Sequence, residues 1–159
     1  MLNAQVEILV QTILPLSAAA VCGGVIGLNR SMNGKPAGMR VHGLVALGSA
    51  LLMMAATAAA DASSATRVAQ GIVTGIGFLG AGIILHRVRE SGPDQVYHLA
   101  TAATVWLAAA IGIACGVGQW VLAVAGTVIG LIVLVVFIRI DGHFFGRFSS
   151  GDDNGDPLS

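Results

Sequence analysis

Long stretches without Asp, Glu, Lys or Arg divide this chain, and their lengths limit what it can fold into. Three of them are residues 8–28, 41–60 and 68–86. About 20 helical residues cross the ~30 Å hydrocarbon core of a bilayer, so each of these stretches predicts one transmembrane helix. A fourth stretch, residues 95–138, is roughly twice as long as one span requires, and a single straight helix of that length would overshoot the bilayer.

The fourth stretch contains its own turn signal. Gly116 and Gly118 are followed by Gln119 and by Trp120, an aromatic residue suited to the membrane interface. The pattern predicts a tight hairpin between two spans, and therefore an all-α integral membrane protein with a bundle of about five transmembrane helices. The spans are expected at approximately 7–28, 41–60, 68–86, 97–115 and 120–138, within one transmembrane domain over residues 1–140. Residues 141–159 are expected to form an interfacial and disordered cytoplasmic tail.

The basic residues are distributed unequally between the two sides of such a bundle. Seven of the eight fall after span one, after span three or in the tail, whereas Arg67 alone falls on the opposite side. Since Lys and Arg are enriched in cytoplasmic loops, the N-terminus is predicted outside and the C-terminus in the cytoplasm. The expected surroundings are the lipid bilayer. Eight basic residues against eight acidic ones leave no basic excess for binding nucleic acid.

Span three is dense in glycine. Gly75, Gly77 and Gly80 match the G-x-G-x-x-G spacing of a dinucleotide-binding fingerprint, but they lie inside a bilayer-length apolar segment with no preceding strand. In membranes, glycines on one helix face instead permit close contact between helices. Gly75 and Gly82 lie two turns apart on a similar face, so span three is expected to be central in a tightly packed bundle.

Other spans repeat this spacing, and one alternative use of it remains open. Pairs of glycines four residues apart occur at Gly23 and Gly27, at Gly112 and Gly116, and at Gly126 and Gly130. The alternative is that span three breaks and lines a polar cavity with Gln70 and Thr74, as discontinuous helices of transporters do.

Polar residues concentrate at the predicted membrane edges. The segment 27–43 is expected to be a cytoplasmic loop, in which Pro36 disfavours helix and nearby glycines permit a compact turn. Its cations either bind anionic lipid head groups, or dock an acidic partner or the loop itself onto the bundle. They are Arg30, Lys35 and Arg40. On the opposite side, Asp61 is the nearest candidate to pair with Arg67.

The sequence offers little for metal binding or catalysis. His42, His86, His98 and His143 fall at predicted cytoplasmic ends of spans, but their spacing matches no compact ligand motif. Glu90 and Asp94 are the only nearby pair of oxygen ligands for magnesium. Apart from Glu7 at the edge of span one, the spans contain no acidic residue, which argues against primary ion transport. No arrangement of nucleophile and base indicates an enzyme, and no cofactor is predicted.

Four blocks of sequence resemble the MgtC/SapB family of membrane proteins. They are Gly-Lys-Pro-Ala-Gly-Met-Arg-Val-His (34–42), Leu-Val-Ala-Leu-Gly (44–48), the glycine-rich run (67–84) and Ala-Thr-Ala-Ala-Thr-Val-Trp-Leu-Ala-Ala-Ala-Ile-Gly (100–112). The resemblance covers residues 8–138. It departs at Asn29, where the family usually has Glu, and at residues 97–102, where the typical Gly-Leu-Thr-Thr-Ala-Ala is altered.

The resemblance implies a multi-pass protein of the bacterial cytoplasmic (inner) membrane that is linked to magnesium limitation and stress adaptation. It further implies a non-enzymatic regulator of other membrane machines, including the proton-translocating ATP synthase. The alternative function is a small homo-oligomeric transporter or channel for magnesium or protons. The candidate functional or packing residues are Lys35, Pro36, Arg40, His42, Asp61, Arg67, Gln70, Gly75, Gly77, Gly80, Gly82, Thr101 and Thr104.

Overall fold

Five α-helices form the part of the chain that the computed structural model describes, which is residues 2–59, 62–91 and 99–145 for the backbone and 5–59, 63–84 and 99–136 for the side chains. The helices are α1 (Leu2–Met32), α2 (Met39–Ala58), α3 (Ala62–Ser91), α4 (Leu99–Gly116) and α5 (Trp120–Phe145). Each of α1 to α4 is long and apolar enough to cross a membrane, and α5 contributes the apolar segment Trp120–Val136. The predicted helical membrane bundle is confirmed, whereas the side on which each terminus lies stays a prediction.

The glycines after α1 and α4 end these helices in the same way. Gly34 and Gly118 have positive φ angles of 63° and 75°, a backbone conformation that glycine adopts without steric cost. At each end, the glycine N–H and the following N–H bond back to carbonyls of the last helical turn, as in Lys35 N–H to Arg30 O at 3.0 Å and Gln119 N–H to Ala114 O at 2.9 Å. This is the Schellman arrangement, which satisfies carbonyls that would otherwise lack partners. The predicted hairpin turn after Gly116 is therefore confirmed.

Helix α4 is the centre of the bundle. It contacts all four other helices, whereas α3 contacts only α2 and α4 among the described residues. The expectation that α3 would be central is wrong. Most of its glycines have no close neighbour: an added Cβ at Gly71, Gly75, Gly77 or Gly82 would meet no atom of the described residues within 4 Å.

Close packing is instead built around α2. A Cβ at Gly23 would lie 2.6 Å from the His42 carbonyl oxygen, and one at Gly116 would lie 2.7 Å from the Ala50 carbonyl oxygen. Glycine therefore allows both α1 and α4 to approach the α2 backbone, which is the packing mode expected of small residues in membranes. The main core at this junction consists of Ala19, Ile26, Ala46, Ala50, Ile111, Ala114, Cys115 and Ala123.

The outer surface of the bundle is apolar. Ile8 on α1, Leu44 on α2 and Val121 on α5 are 65%, 67% and 85% exposed. A soluble protein of this size does not cover itself with such residues, because contiguous apolar surface is unfavourable in water. Lipid chains are the solvent that suits this surface, and the helices satisfy their backbone groups internally as that solvent requires.

Candidate functional site

A buried polar cluster lies where the end of α1 and the beginnings of α2 and α4 meet. His42 has no exposed surface, and its ring joins two elements: Nδ1 lies 3.1 Å from the Gly38 carbonyl oxygen and Nε2 lies 2.9 Å from Thr104 Oγ1. A carbonyl oxygen only accepts, so Nδ1 carries a hydrogen and Nε2 of the neutral ring is an acceptor. The Thr104 hydroxyl carries one hydrogen, which is shared between this Nε2 and the Thr101 carbonyl oxygen at 2.8 Å. His42 thereby fixes the start of α2 against α4.

Arg30 completes the cluster from α1. Its side chain is 3% exposed, and Nη2 donates to Thr101 Oγ1 at 2.5 Å. Within the described part of the chain, its buried Nε has no hydrogen-bond partner, and neither has the buried Oδ1 of the adjacent Asn29. The prediction that Arg30 lies in a loop is wrong, because α1 continues through Met32 and carries Arg30 into the bundle. From the sequence, Arg30 is predicted as a loop cation and is not among the candidate functional residues.

A short loop joins α1 to α2, and a hydrogen bond between the two helices holds it closed. The Met39 N–H donates to Ser31 Oγ at 3.2 Å, which joins the two helices across the loop. A Cβ on Gly27 would lie 2.6 Å from Met39 Cα, so only glycine lets α2 begin this close to α1. Within the loop it is Ala37, with φ 56°, and not Gly38 that adopts the left-handed backbone conformation.

The other predicted residues of this loop region point outward. Lys35, Pro36 and Arg40 are exposed, and Arg40 borders a shallow apolar groove between α1 and α2. The structure thus brings Arg30 together with three of the predicted site residues, His42, Thr101 and Thr104. The exposed residues Lys35, Pro36 and Arg40 form a separate edge at the same end of the bundle.

Helix α3 presents a polar stripe on its outer side. Arg67, Gln70 and Thr74 are exposed and spaced as residues on one helix face. Arg67 Nη2 donates to Ser64 Oγ at 3.3 Å, and the Thr74 hydroxyl donates to the Gln70 carbonyl oxygen at 2.9 Å. The alternative in which span three breaks is wrong, because α3 is one continuous helix over these residues. Asp61 lies outside the described residues, so its pairing with Arg67 stays a prediction.

The four glycines of the fingerprint-like run differ in their surroundings. Gly80 is buried, and a Cβ there would lie 3.5 Å from Ala102 Cβ on α4. Gly75, Gly77 and Gly82 face open space. All four belong to the helix α3 and none to a strand-to-helix turn, so the structure supports no dinucleotide-binding loop.

Metal ligands are not assembled in the part of the chain with described side chains. Within it, no three His, Cys, Asp or Glu residues lie close enough to hold an ion. His42 is held by protein groups at both ring nitrogens. The side chains of His86, His98 and His143, and of Glu90 and Asp94, lie outside the described residues.

An open cavity of about 500 Å³ lies between α4 and α5, next to the polar cluster. Arg30 and Thr104 line it at one place, and the remaining lining residues are apolar side chains or glycines of the two helices. The cavity therefore combines a buried cation with an apolar wall.

These features define the class: a small multi-pass helical membrane protein with an apolar exterior and a buried polar cluster at one end. The model of the MgtC family matches residues 16–143. The chain belongs to the MgtC family.

Individual relatives agree with this assignment. The chain is 46% identical to protein SrpB of Synechococcus elongatus over 134 residues, covering 79% of this chain and 74% of SrpB. It is 42% identical to YhiD of Escherichia coli, named "Putative magnesium transporter YhiD", over 80% of this chain and 61% of YhiD. It is 44% identical to protein MgtC of Salmonella typhimurium over 74% of this chain and 48% of MgtC. The chain thus spans about half the length of MgtC and three-fifths of YhiD. No solved structure matches it.

Proposed function

We propose that this protein is a non-enzymatic regulator in the bacterial cytoplasmic membrane that docks sideways on another membrane protein through α3. The observation that carries the proposal is the open face of α3. Gly71, Gly75 and Gly82 have nothing within 4 Å of an added Cβ, although glycines with the same spacing on α1 and α4 are filled by α2. Glycine in a membrane helix contributes most where a second helix backbone approaches closely.

The shape of the surface beside α3 supports the same proposal. A groove between α2 and α3 is lined by Gly48, Gly71 and Gly75 together with apolar side chains of both helices. A Cβ on Gly48 would also meet no described atom within 4 Å, so both helices present glycine without a side chain towards the groove. A helix of another protein fits such a groove without displacing side chains. Family resemblance makes the proton-translocating ATP synthase the partner to examine first, under magnesium limitation.

The test places bulk on this face. Affinity-tagged full-length protein is purified from bacterial membranes in mild detergent, and recovery of ATP synthase subunits is measured for wild type, Gly75→Leu and Gly82→Leu. Val124→Phe adds the same number of carbon atoms to an exposed position on α5 and serves as the matched control. We expect at least about a tenfold loss for the α3 variants, because a close helix contact is removed, and no loss for the control.

Two results would contradict the proposal. One is unchanged partner recovery when Gly75 or Gly82 carries Leu while the protein still inserts. The other is failure of the wild type to recover ATP synthase or to change its proton pumping in inverted membrane vesicles, which would remove this partner.

A second candidate function is transport of magnesium or protons by a homo-oligomer. It is favoured by the name given to YhiD and by the polar stripe Arg67, Gln70 and Thr74, which would face a shared axis if copies packed through α3. Purified protein in liposomes should then conduct one of these ions, and Gln70→Leu or Thr74→Val should reduce the flux. Sealed liposomes that contain the protein and show no flux of either ion would refute transport.

A further inference from the structure

Arg30 is a buried cation without a counter-charge among the described side chains. The residue is 3% exposed, and among the described residues its side chain makes one hydrogen bond, to the uncharged Thr101 hydroxyl. Its neighbour Asn29 is also uncharged. Glu7 is the only carboxylate whose side chain is described, and it lies 23 positions earlier in the same helix, about 35 Å away at the helical rise.

A buried cation in this state needs an anion. Removing a charge from water is costly unless an opposite charge and hydrogen-bond partners compensate for the loss. Arg30 also offers a further donor, because its buried Nε has no hydrogen-bond partner among the described residues. The ligand that suits a guanidinium is a phosphate or carboxylate group, which accepts two of its N–H donors at once.

The cavity beside Arg30 indicates which anion fits. It holds about 500 Å³, within the size range of ligand sites, and it extends from Arg30 and Thr104 along the apolar side chains of Leu107, Ile129 and Val133. Ile129 and Val133 are 60% and 47% exposed, so the apolar wall opens towards the bilayer. Arg30 lies near the end of α1 and contacts Thr101 near the beginning of α4. The ends of membrane-spanning helices lie close to the level of the lipid head groups.

We propose that this cavity binds one anionic phospholipid. Its phosphate group accepts N–H donors of Arg30, and one acyl chain lies along the wall between α4 and α5. The net negative charge of the lipid neutralises the buried guanidinium, and the acyl chain covers the wall. Basic pockets between membrane helices bind anionic head groups by this combination of charge and apolar contact. The site is separate from the α3 face proposed for docking.

The experiment measures lipid binding to delipidated full-length protein in a neutral detergent. Phosphatidylglycerol and phosphatidylcholine with the same acyl chains are compared by native mass spectrometry and by the shift in melting temperature. We expect one phosphatidylglycerol per chain, bound at least about tenfold more tightly than phosphatidylcholine, because a hydrogen bond to a charged group contributes at least this factor. Inorganic phosphate alone should give no comparable shift.

Matched variants locate the site. Arg30→Gln should reduce phosphatidylglycerol affinity about tenfold, to the level of phosphatidylcholine. Arg40→Gln removes an exposed cation at the same end of the bundle and should change affinity less than about twofold. Ala103→Phe keeps Arg30 but places a ring on an exposed cavity-lining position, and it should also abolish tight binding. If Arg30→Gln fails to fold, Ala103→Phe still tests whether the cavity binds the lipid.

Several results would overturn the proposal. Equal binding of the two lipids would mean that no net anion is required, as when a carboxylate of this chain neutralises Arg30. Equal loss from Arg30→Gln and Arg40→Gln would indicate general attraction to charged head groups. Full binding by Ala103→Phe would exclude the cavity, and stabilisation by inorganic phosphate alone would exclude the lipid.

Discussion

Substituting Gly112 by Ala tests how α2 and α4 are held together. An added Cβ would meet the Ala46 carbonyl group, with the carbonyl carbon at 2.8 Å and Cα at 2.9 Å. These atoms are backbone and cannot rotate away, and the carbonyl oxygen is nearer still, so the helices must separate by about 1 Å to restore an ordinary contact of 3.4 Å or more. A gap of ~0.5–1 Å already forfeits a quarter or more of the dispersion attraction between the atoms that face each other. Overpacking typically costs about 1–3 kcal/mol, and the better helix propensity of Ala returns up to about 1 kcal/mol. We expect a net loss of about 1–2 kcal/mol in the free energy of unfolding.

Cys115 reports this loss directly. It is fully buried one turn from Gly112 on α4, so its thiol reacts with a maleimide only when α4 separates from the bundle. In a Cys22→Ala background, thiol labelling is followed while SDS is titrated into neutral micelles that contain the purified protein. The midpoint for Gly112→Ala should shift to lower SDS than that of the parent protein.

Gly75→Ala is the matched control for the same chemical change. Nothing lies within 4 Å of its added Cβ, so only the gain in helix propensity, up to about 1 kcal/mol, remains. The two variants should therefore shift the midpoint in opposite directions or, at least, Gly75→Ala should leave it unchanged. If Gly112→Ala were as stable as the parent protein, or Gly75→Ala equally destabilised, the assignment of tight and open glycines would be incorrect.

Three further predictions concern the polar cluster, the first loop and the topology. Thr104→Val leaves the buried His42 Nε2 without its partner and should lower the free energy of unfolding by about 1–3 kcal/mol, whereas Thr104→Ser should retain most of the parent stability. Equal stability of the Val and Ser variants in the SDS titration would refute the hydrogen bond. Gly34→Ala should cost about 1–2 kcal/mol in the same titration, because φ is 63° and no neighbour obstructs the new methyl group; a neutral result would show that α1 does not end in this left-handed conformation. Alkaline phosphatase fused to the N-terminus, which is active outside the cytoplasm, and green fluorescent protein fused to the C-terminus, which fluoresces in the cytoplasm, should both be active. If both are inactive and exchanging the two reporters restores their activity, the predicted orientation is inverted.

Much of the fold could be predicted from the sequence because its determinants are local. The lengths of the charge-free stretches follow from the thickness of the bilayer, and Gly118 ends α4 because glycine alone adopts its backbone conformation without cost. Neither feature depends on which helix packs against which. The hairpin before Trp120 and the five-helix architecture were therefore accessible without the structure.

The candidate site was only partly accessible, because its contacts join distant parts of the chain. Arg30 meets Thr101 across 71 positions and His42 meets Thr104 across 62. In the sequence, Arg30 lies just after an apolar stretch, which is where the first cation of a cytoplasmic loop is expected. The missed signal was the continuation of helix-compatible residues from Leu28 to Met32, before the first glycine that ends the helix.

The sequence by itself determined that this protein lies in a membrane, how many helices it forms and where they turn, because these properties follow from transfer of side chains into lipid and from local backbone preference. The tertiary structure alone decided which groups each glycine and each cation contacts. Gly112 and Gly75 have the same spacing to a second glycine, yet one is filled by the α2 backbone and the other faces outward. Arg30 and Arg40 have the same charge, yet only Arg30 is enclosed by α4. These differences depend on which helix surfaces meet, and no local pattern contains that information.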